Sequence, residues 1–296
     1  MSTAPGIRDR ADRCPGVLRP WPAEDGGLVR LRVPGGRLPL RRLRALTTVA
    51  REYGDGRVRL TGRANLQLRA MPMVDGTLAS PVVAAIEAIG LLPSRAHDRV
   101  RNVLASPQTG IAGGRADLTP VVTALDTLLV TDPRLAALPG RFLFTLDDGR
   151  GDLADRHRDL GLVVLDESSA QLLVGTGFGP VVALGGAAAA IGGLARAFLA
   201  ARGTGPTAAW HVPELTTPLV PPSPVAPGAR VRCDPLPFGR VDGGEHVEVG
   251  EAGIDTAAVD RWEDQLGGRD GSGFVVITPW HGVLLPDSIP TRPEDR

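Results

Sequence analysis

The 296-residue sequence predicts an α+β chain with a strand-helix-strand unit near each end and an α/β part between them. Three observations lead there. Residues 57–69 alternate polar and apolar side chains without interruption, which is the period of a β-strand. Residues 28–72 and 246–286 run through the same order of short strand, glycine turn, helix, glycine turn and second strand, as a duplicated unit would. Residues 204–229 hold seven prolines and no periodic pattern, and they set the second copy apart as a linker does.

Taken in order, residues 1–20 read as an irregular lead-in ending in Cys14-Pro15-Gly16-Val17-Leu18-Arg19-Pro20. Residues 28–33 alternate again, with Arg30 and Arg32 on one face, and Pro34-Gly35-Gly36 stops the strand. Residues 41–53 put Leu43, Leu46, Val49 and Ala50 on one helical face. A second helix spans 80–89, with Ser80 as cap and Pro81 at its first position. Residues 100–107 hold a short apolar segment interrupted by Arg101 and Asn102; 118–129 read as a helix and 141–146 as a buried strand. Residues 160–165 and 171–174 are paired strands, the second running into a glycine-rich turn at 175–180. Such a turn between strand and helix brings N–H groups to an anion, but Pro180 breaks the dinucleotide fingerprint. Residues 181–201 are long enough for a membrane span, whereas their glycines and Arg196 favour a buried helix. Past the linker, 238–241 and 246–249 read as strands, 255–266 as a helix, and 274–285 as a strand interrupted by Pro279. The expected boundaries are therefore 14–78, 79–203, the linker 204–229, and 230–290.

The chain has no lysine: all 33 basic residues are arginine, so any one arginine says little. Their distribution says more, because residues 1–69 carry a net charge of +9 and the remainder −9. An anionic partner for the first third, or the two parts facing each other, accounts for that asymmetry. Aromatic residues are 4% of the chain and none interleaves with the arginines of 57–69, which argues against nucleic acid. No apolar run follows the first charges, so a cytoplasmic protein without membrane attachment is expected. Cys14 and Cys233 stand in no metal-ligand spacing and fit free thiols in a reducing compartment.

On a single strand, 57–69 would array Arg57, Arg59, Thr61, Arg63, Asn65, Gln67 and Arg69 on one face. Successive like charges on that face lie roughly 6 to 7 Å apart and repel unless water or a bound polyanion screens them. A ligand with several carboxylates and an ordinary solvent face both fit this stretch. The five histidines (97, 157, 211, 246 and 281) show no metal-ligand spacing; His281 stands out for its place in the second copy.

Arg59-Leu60-Thr61-Gly62-Arg63-Ala64-Asn65-Leu66-Gln67 resembles the R-x-T-x-R-x-x-x-Q signature of the sirohaem-dependent nitrite and sulfite reductases. Arg32 before Pro34-Gly35-Gly36, Arg101-Asn102-Val103, and the strand-plus-glycine run from Leu172 to Gly177 are similar to three further segments of that family, in the same order. The Cys14 segment and the F-L-F-T-L-D-D-G-R-G-D run from Phe142 to Asp152 look most like the family's precorrin-3B synthase branch, in aerobic cobalamin synthesis.

The resemblance implies two ferredoxin-like half-domains flanking one α/β haem-binding domain of the nitrite/sulfite reductase type. It implies an oxidoreductase whose ligand is a polycarboxylated tetrapyrrole: sirohaem as cofactor in the reductases, precorrin-3A as substrate in the synthase. Arg32, Arg59, Arg63 and Arg101 would pair with ring carboxylates, Thr61, Asn65, Gln67 and Asn102 would orient the ring, and Arg141 would be the catalytic group. Two departures stand out. Arg141 and Leu143 occupy the places of the reductases' two lysines, and the family's four-cysteine iron–sulfur cluster has no ligand set among two cysteines. A separate iron–sulfur subunit or electron donor would supply the cluster. Without it, a non-catalytic tetrapyrrole-binding protein or a shortened reductase remains open.

Overall fold

A computed structural model of the chain describes residues 12–266 and 273–287. The lead-in residues 1–11 and the end of the expected second unit, 288–290, lie outside the described residues. The first unit contains β1 (Trp21–Ala23), β2 (Gly26–Leu31), β3 (Arg37–Pro39), α1 (Leu40–Tyr53), β4 (Arg59–Leu60) and β5 (Leu66–Met71). β1, β2, β5 and β4 make an antiparallel sheet in that order. Helix α1 buries the expected stripe of Leu43, Leu46, Val49 and Ala50, and Leu40 at its start besides.

The thirteen-residue strand is in fact a hairpin. Thr61 N–H donates to Asn65 O and Ala64 N–H to Thr61 O, both at 3.0 Å, and the Thr61 hydroxyl oxygen accepts from Asn65 N at 3.2 Å. Ala64 takes φ = 53° to close the turn. Arg59 pairs with Gln67 and Leu60 with Leu66, so odd residues face odd and even face even. The polar set therefore stays on one face through the reversal, and the alternation is the same for a strand or a hairpin.

A two-stranded hairpin, β6 (Met73–Val74) and β7 (Thr77–Leu78), leads to α2 (Ser80–Ile89), which packs on α1. The middle part then comprises β8 (Val103–Ala105), α3 (Thr119–Thr131), β9 (Phe144–Asp147), β10 (Leu160–Val164), β11 (Ser169–Val174), β12 (Gly177–Ala183) and α4 (Ala187–Ala201). Strand order is β12-β11-β10-β9-β8, parallel from β8 to β10 and antiparallel from β10 to β12. Helices α3 and α4 cover one face through Leu125, Leu129, Ile191, Ala195 and Phe198. They approach so closely that a Cβ on Gly192 would sit 2.7 Å from the Leu128 side chain. The segment Leu184–Ala201 is apolar and long enough to cross a membrane, but its inner stripe packs on this sheet.

The glycine run at 175–180 does not open a helix. Gly175 and Thr176 turn β11 into β12, and Gly177, Gly179 and Pro180 lie within β12, which rules out a helix-start phosphate loop there. Nor is the proline-rich stretch a free tether. Ser223 N–H donates to Phe178 O, Gln171 Nε2 donates to Pro224 O, and Ala226 N–H donates to Gln171 Oε1, which straps it over the sheet's second face.

The second unit comprises β13 (Gly239–Val241), β14 (Gly244–Glu248), α5 (Thr256–Gln265), β15 (Phe274–Ile277) and β16 (Gly282–Pro286), with Asp255 capping α5 by accepting from Ala258 N at 2.8 Å. Its reversal repeats the first: Thr278 N–H donates to Gly282 O at 2.9 Å, Gly282 N–H donates to the Thr278 hydroxyl at 3.2 Å, and His281 takes φ = 61°. The strand order is β13-β14-β16-β15-β3, so the first unit lends β3 to the second unit's sheet. Val58 and Ile254 exchange backbone hydrogen bonds, and Arg44 on α1 reaches Glu263 and Asp260 on α5 at 2.7 and 2.6 Å. Arg44 is 36% exposed, so Arg44→Ala is expected to cost only about 0.5–1 kcal/mol in urea unfolding, and less in high salt.

Candidate functional site: an arginine face beside two matched turns

Across β2, β5 and β4, Arg30, Gln67 and Arg59 stand in one row, and Leu31, Leu66 and Leu60 form the next, buried row. The apolar row anchors the sheet on α1 and leaves the polar row outside. Not every arginine of this face is available. Arg57 reaches Asp255 and Arg59 reaches Asp55, both at 2.6 Å, and Arg69 lies 3.2 Å from Asp25. At the hairpin tip, Arg63 Nη1 donates to Arg141 O at 2.9 Å, while the Arg141 side chain is exposed.

Arg32 is 2% exposed and donates to Pro15 O and Arg30 O, both at 2.7 Å, with Nη2 3.2 Å from Cys14 Sγ. Burial pulls its pKa down to about 10, against the opposing pull of Cys14 and Asp98. The Cys14 segment is fixed in turn by Asp98, whose carboxylate accepts from Val17 N and Leu18 N at 3.0 and 2.9 Å. Arg63 is also held below its ordinary range by burial, which outweighs the opposing pull of Cys14 and Asp159; the repulsion of Arg30 and Arg141 adds to it. Arg30, Arg32, Arg63 and Arg141 thus form a cluster in which none pairs with a carboxylate of a described residue.

The other expected residues spend their polar groups on the protein. Thr61 holds the hairpin turn. Asn65 Oδ1 accepts from Val33 N at 3.1 Å, and its Nδ2 donates to Asn102 Oδ1 at 3.1 Å. Asn102 Nδ2 donates to Gly140 O at 2.9 Å, with Phe142 O and Arg99 O at 3.3 and 3.2 Å. This amide pair locks the hairpin to the middle sheet. Arg101 makes a two-pronged pair with Asp126 on α3, at 2.6 and 2.7 Å, and is 8% exposed. Gln67 is half-buried between Arg30 and Arg59.

Two groups that the spacing does not single out sit at the same place. Arg156 donates to Gly62 O at 3.5 Å and to Pro279 O at 3.3 Å, one carbonyl from each matched turn. Beside it, Asp152 accepts from the Ser106 hydroxyl at 2.7 Å and lines a 290 Å³ cavity with Arg156, Cys233 and Trp280. Burial first, and the neighbouring Asp147 carboxylate second, raise the Asp152 pKa to about 7. The D-D-G-R-G-D run supplied the residue; only the fold shows the cavity. Trp280 and His281 occupy the second turn, and the His281 ring lies 3.9 Å from where a Cβ on Gly62 would stand.

Of the histidines, His97 and His246 are buried and hydrogen-bonded locally, to Ser94 and to Thr278. His157 and His211, in contrast, converge on Asp159, a cluster the chain spacing hides. The two thiols do not fit a four-iron cluster: Cys14 is buried against Arg32 and Cys233 is exposed. The arginine cluster does fit the carboxylates of a tetrapyrrole.

The first unit, with its arginine-bearing hairpin, is similar to the nitrite/sulfite reductase class of half-domain. Residues 21–75 match the family model for the nitrite/sulfite reductase ferredoxin-like half domain. Among named proteins, the chain is 32% identical over 125 residues to a precorrin-3B synthase of Sinorhizobium sp, covering 42% of this chain and 23% of that one. It is 30% identical over 155 residues to the ferredoxin–nitrite reductase of Synechococcus elongatus, covering 49% and 29%. The solved NirA protein of Mycobacterium tuberculosis superposes with a TM-score of 0.66 at 20% identity, over 91% of this chain and 55% of its own, and shows the same fold. The matched region spans about a quarter of the named relatives and about half of NirA.

Proposed function

We propose that the chain binds a polycarboxylated tetrapyrrole on the arginine face and acts as a precorrin-3B synthase-like oxidoreductase. The observation that supports this is the cluster of Arg30, Arg32, Arg63 and Arg141. Burial and mutual repulsion press on Arg32 and Arg63, and a ligand that brings several carboxylates on a flat ring relieves both. The relatives' names add the two candidate chemistries, cobalamin synthesis and nitrite reduction. Arg141 and the buried Leu143, where the reductases' paired lysines are expected, favour the first.

In this reading Arg30 and Arg63 bind ring carboxylates, and Arg141 stands exposed at the rim where charge develops. Arg32 acts from below by holding the Cys14 segment and Arg30 in place. Oxidation chemistry comes from a redox group outside these 296 residues, such as a separate iron–sulfur polypeptide; no electron step is assigned to Cys14 or Cys233. The same two thiols support a second reading, tetrapyrrole binding without catalysis.

The test is an anaerobic absorption titration with sirohaem and, separately, precorrin-3A, using the wild-type chain and an Arg63→Ala, Arg141→Ala double variant. Two charge-assisted bonds lost predict binding weaker by about a hundredfold. Arg59→Ala should matter less, because Asp55 already holds that side chain. Tighter binding of precorrin-3A than of sirohaem favours the synthase reading. If neither ring binds saturably, or the double variant binds unchanged, the proposal fails.

A further inference from the structure

We infer that His157, Asp159 and His211 form a binding site for a first-row divalent metal ion of the zinc type. The three come from two distant places in the chain. His157 lies in the loop before β10, Asp159 directly precedes that strand, and His211 stands just before the 3-10 turn Val212–Glu214 that leads into the proline-rich strap. Their donor atoms all lie within 4.8 Å of one another, and no other such cluster occurs among the described residues.

The geometry is preformed around the carboxylate. Asp159 is fully buried; Oδ2 accepts from Leu143 N and Oδ1 from Val212 N, each at 2.9 Å. These bonds leave a lone pair on each oxygen directed elsewhere. His211 Nδ1 lies 3.2 and 3.1 Å from the two oxygens, and His157 Nε2 lies 3.3 Å from the same nitrogen. The two rings meet edge to face at 88°.

Hydrogen bonding alone serves this arrangement badly. One imidazole nitrogen carries either a single hydrogen or a single lone pair, yet a carboxylate and a second imidazole both close on it. A cation accepts all three at once. Ligands about 2.0–2.1 Å from a tetrahedral centre stand about 3.3 Å from one another, close to the 3.3 and 3.1 Å that separate His211 from His157 and from Asp159, while the His157 and Asp159 donors lie within 4.8 Å. Two imidazoles and one carboxylate suit zinc, cobalt or nickel better than magnesium or calcium, which take mostly oxygen. His157 is exposed, so the fourth position opens to water.

The surroundings set limits on affinity. Arg63 and Arg158 stand close enough to His157 to act on its charge. The same arginines repel a dication, so binding should be weaker than at a closed four-ligand structural zinc site. The ion would tie the start of the strap to the head of β10. This inference does not rest on the tetrapyrrole reading.

The experiment uses the untagged full chain, stripped with chelator and titrated calorimetrically with Zn²⁺, then with Co²⁺ by visible absorption. One equivalent should bind, with tetrahedral or five-coordinate cobalt bands. His157→Ala, an exposed change that leaves Asp159's backbone bonds intact, should weaken binding by about tenfold or more, and His211→Ala by at least as much. Circular dichroism of His157→Ala separates loss of ligand from loss of fold. Mg²⁺ should not compete. Absence of stoichiometric binding, or equal binding by His157→Ala, overturns the site.

Discussion

Asp152→Asn should raise the unfolding free energy by about 2 kcal/mol at pH 8 and leave it unchanged at pH 4. The folded protein holds the Asp152 proton up to about pH 7, while an unfolded carboxyl releases it near 3.8. Between those values the native state binds the extra proton, so the Asp152 contribution falls as pH rises through the window and is level above it. The full span would amount to about 4 kcal/mol; the partial exposure of the side chain and screening by solvent justify halving it. Asparagine keeps the shape and the oxygen that accepts from Ser106, and it removes the charge that burial and Asp147 oppose. Urea unfolding at four pH values reads the result. Wild type and variant should diverge from pH 4 upward, and parallel curves would show that the carboxylate is as well solvated as in the unfolded chain.

The elements that periodicity reveals are those whose partners are a continuous core. Leu43, Leu46, Val49 and Ala50 mark α1 because one stripe meets one sheet, and Asp255 marks the start of α5 because a cap is local in sequence. The hairpin at 59–71 stayed hidden because its pairing preserves parity, so a strand and its reversal give the same alternation. β3 was invisible for another reason: three residues carry no period, and the strand belongs to the other copy's sheet. The repeat, by contrast, was legible and goes further than the sequence suggests, since Thr61 and Thr278 close equivalent turns although the residues after them differ. At the site, Arg63 and Arg141 could be named from the chain, but nothing local distinguishes them from Arg59 or Arg101. What separates them is where Asp55 and Asp126 happen to fold. His157 and His211 meet only through tertiary structure, which no spacing rule reports.

Asn102→Leu should destabilise the chain by about 3 kcal/mol, because its buried amide joins two parts of the fold. Asn102 is 1% exposed, and its Nδ2 serves Gly140 O while Oδ1 receives the Asn65 amide. Leucine fills the space but strands both groups away from water, and each orphan costs about 1–3 kcal/mol. Asn65→Ala should cost a comparable amount, since it also leaves Val33 N without its acceptor. The two changes share one bond, so the double variant should lose less than the sum of the singles, by about 1 kcal/mol. Denaturant unfolding of all four proteins closes the cycle. Full additivity would mean that the Asn65 to Asn102 contact is incidental to how Arg63 is brought against Arg141.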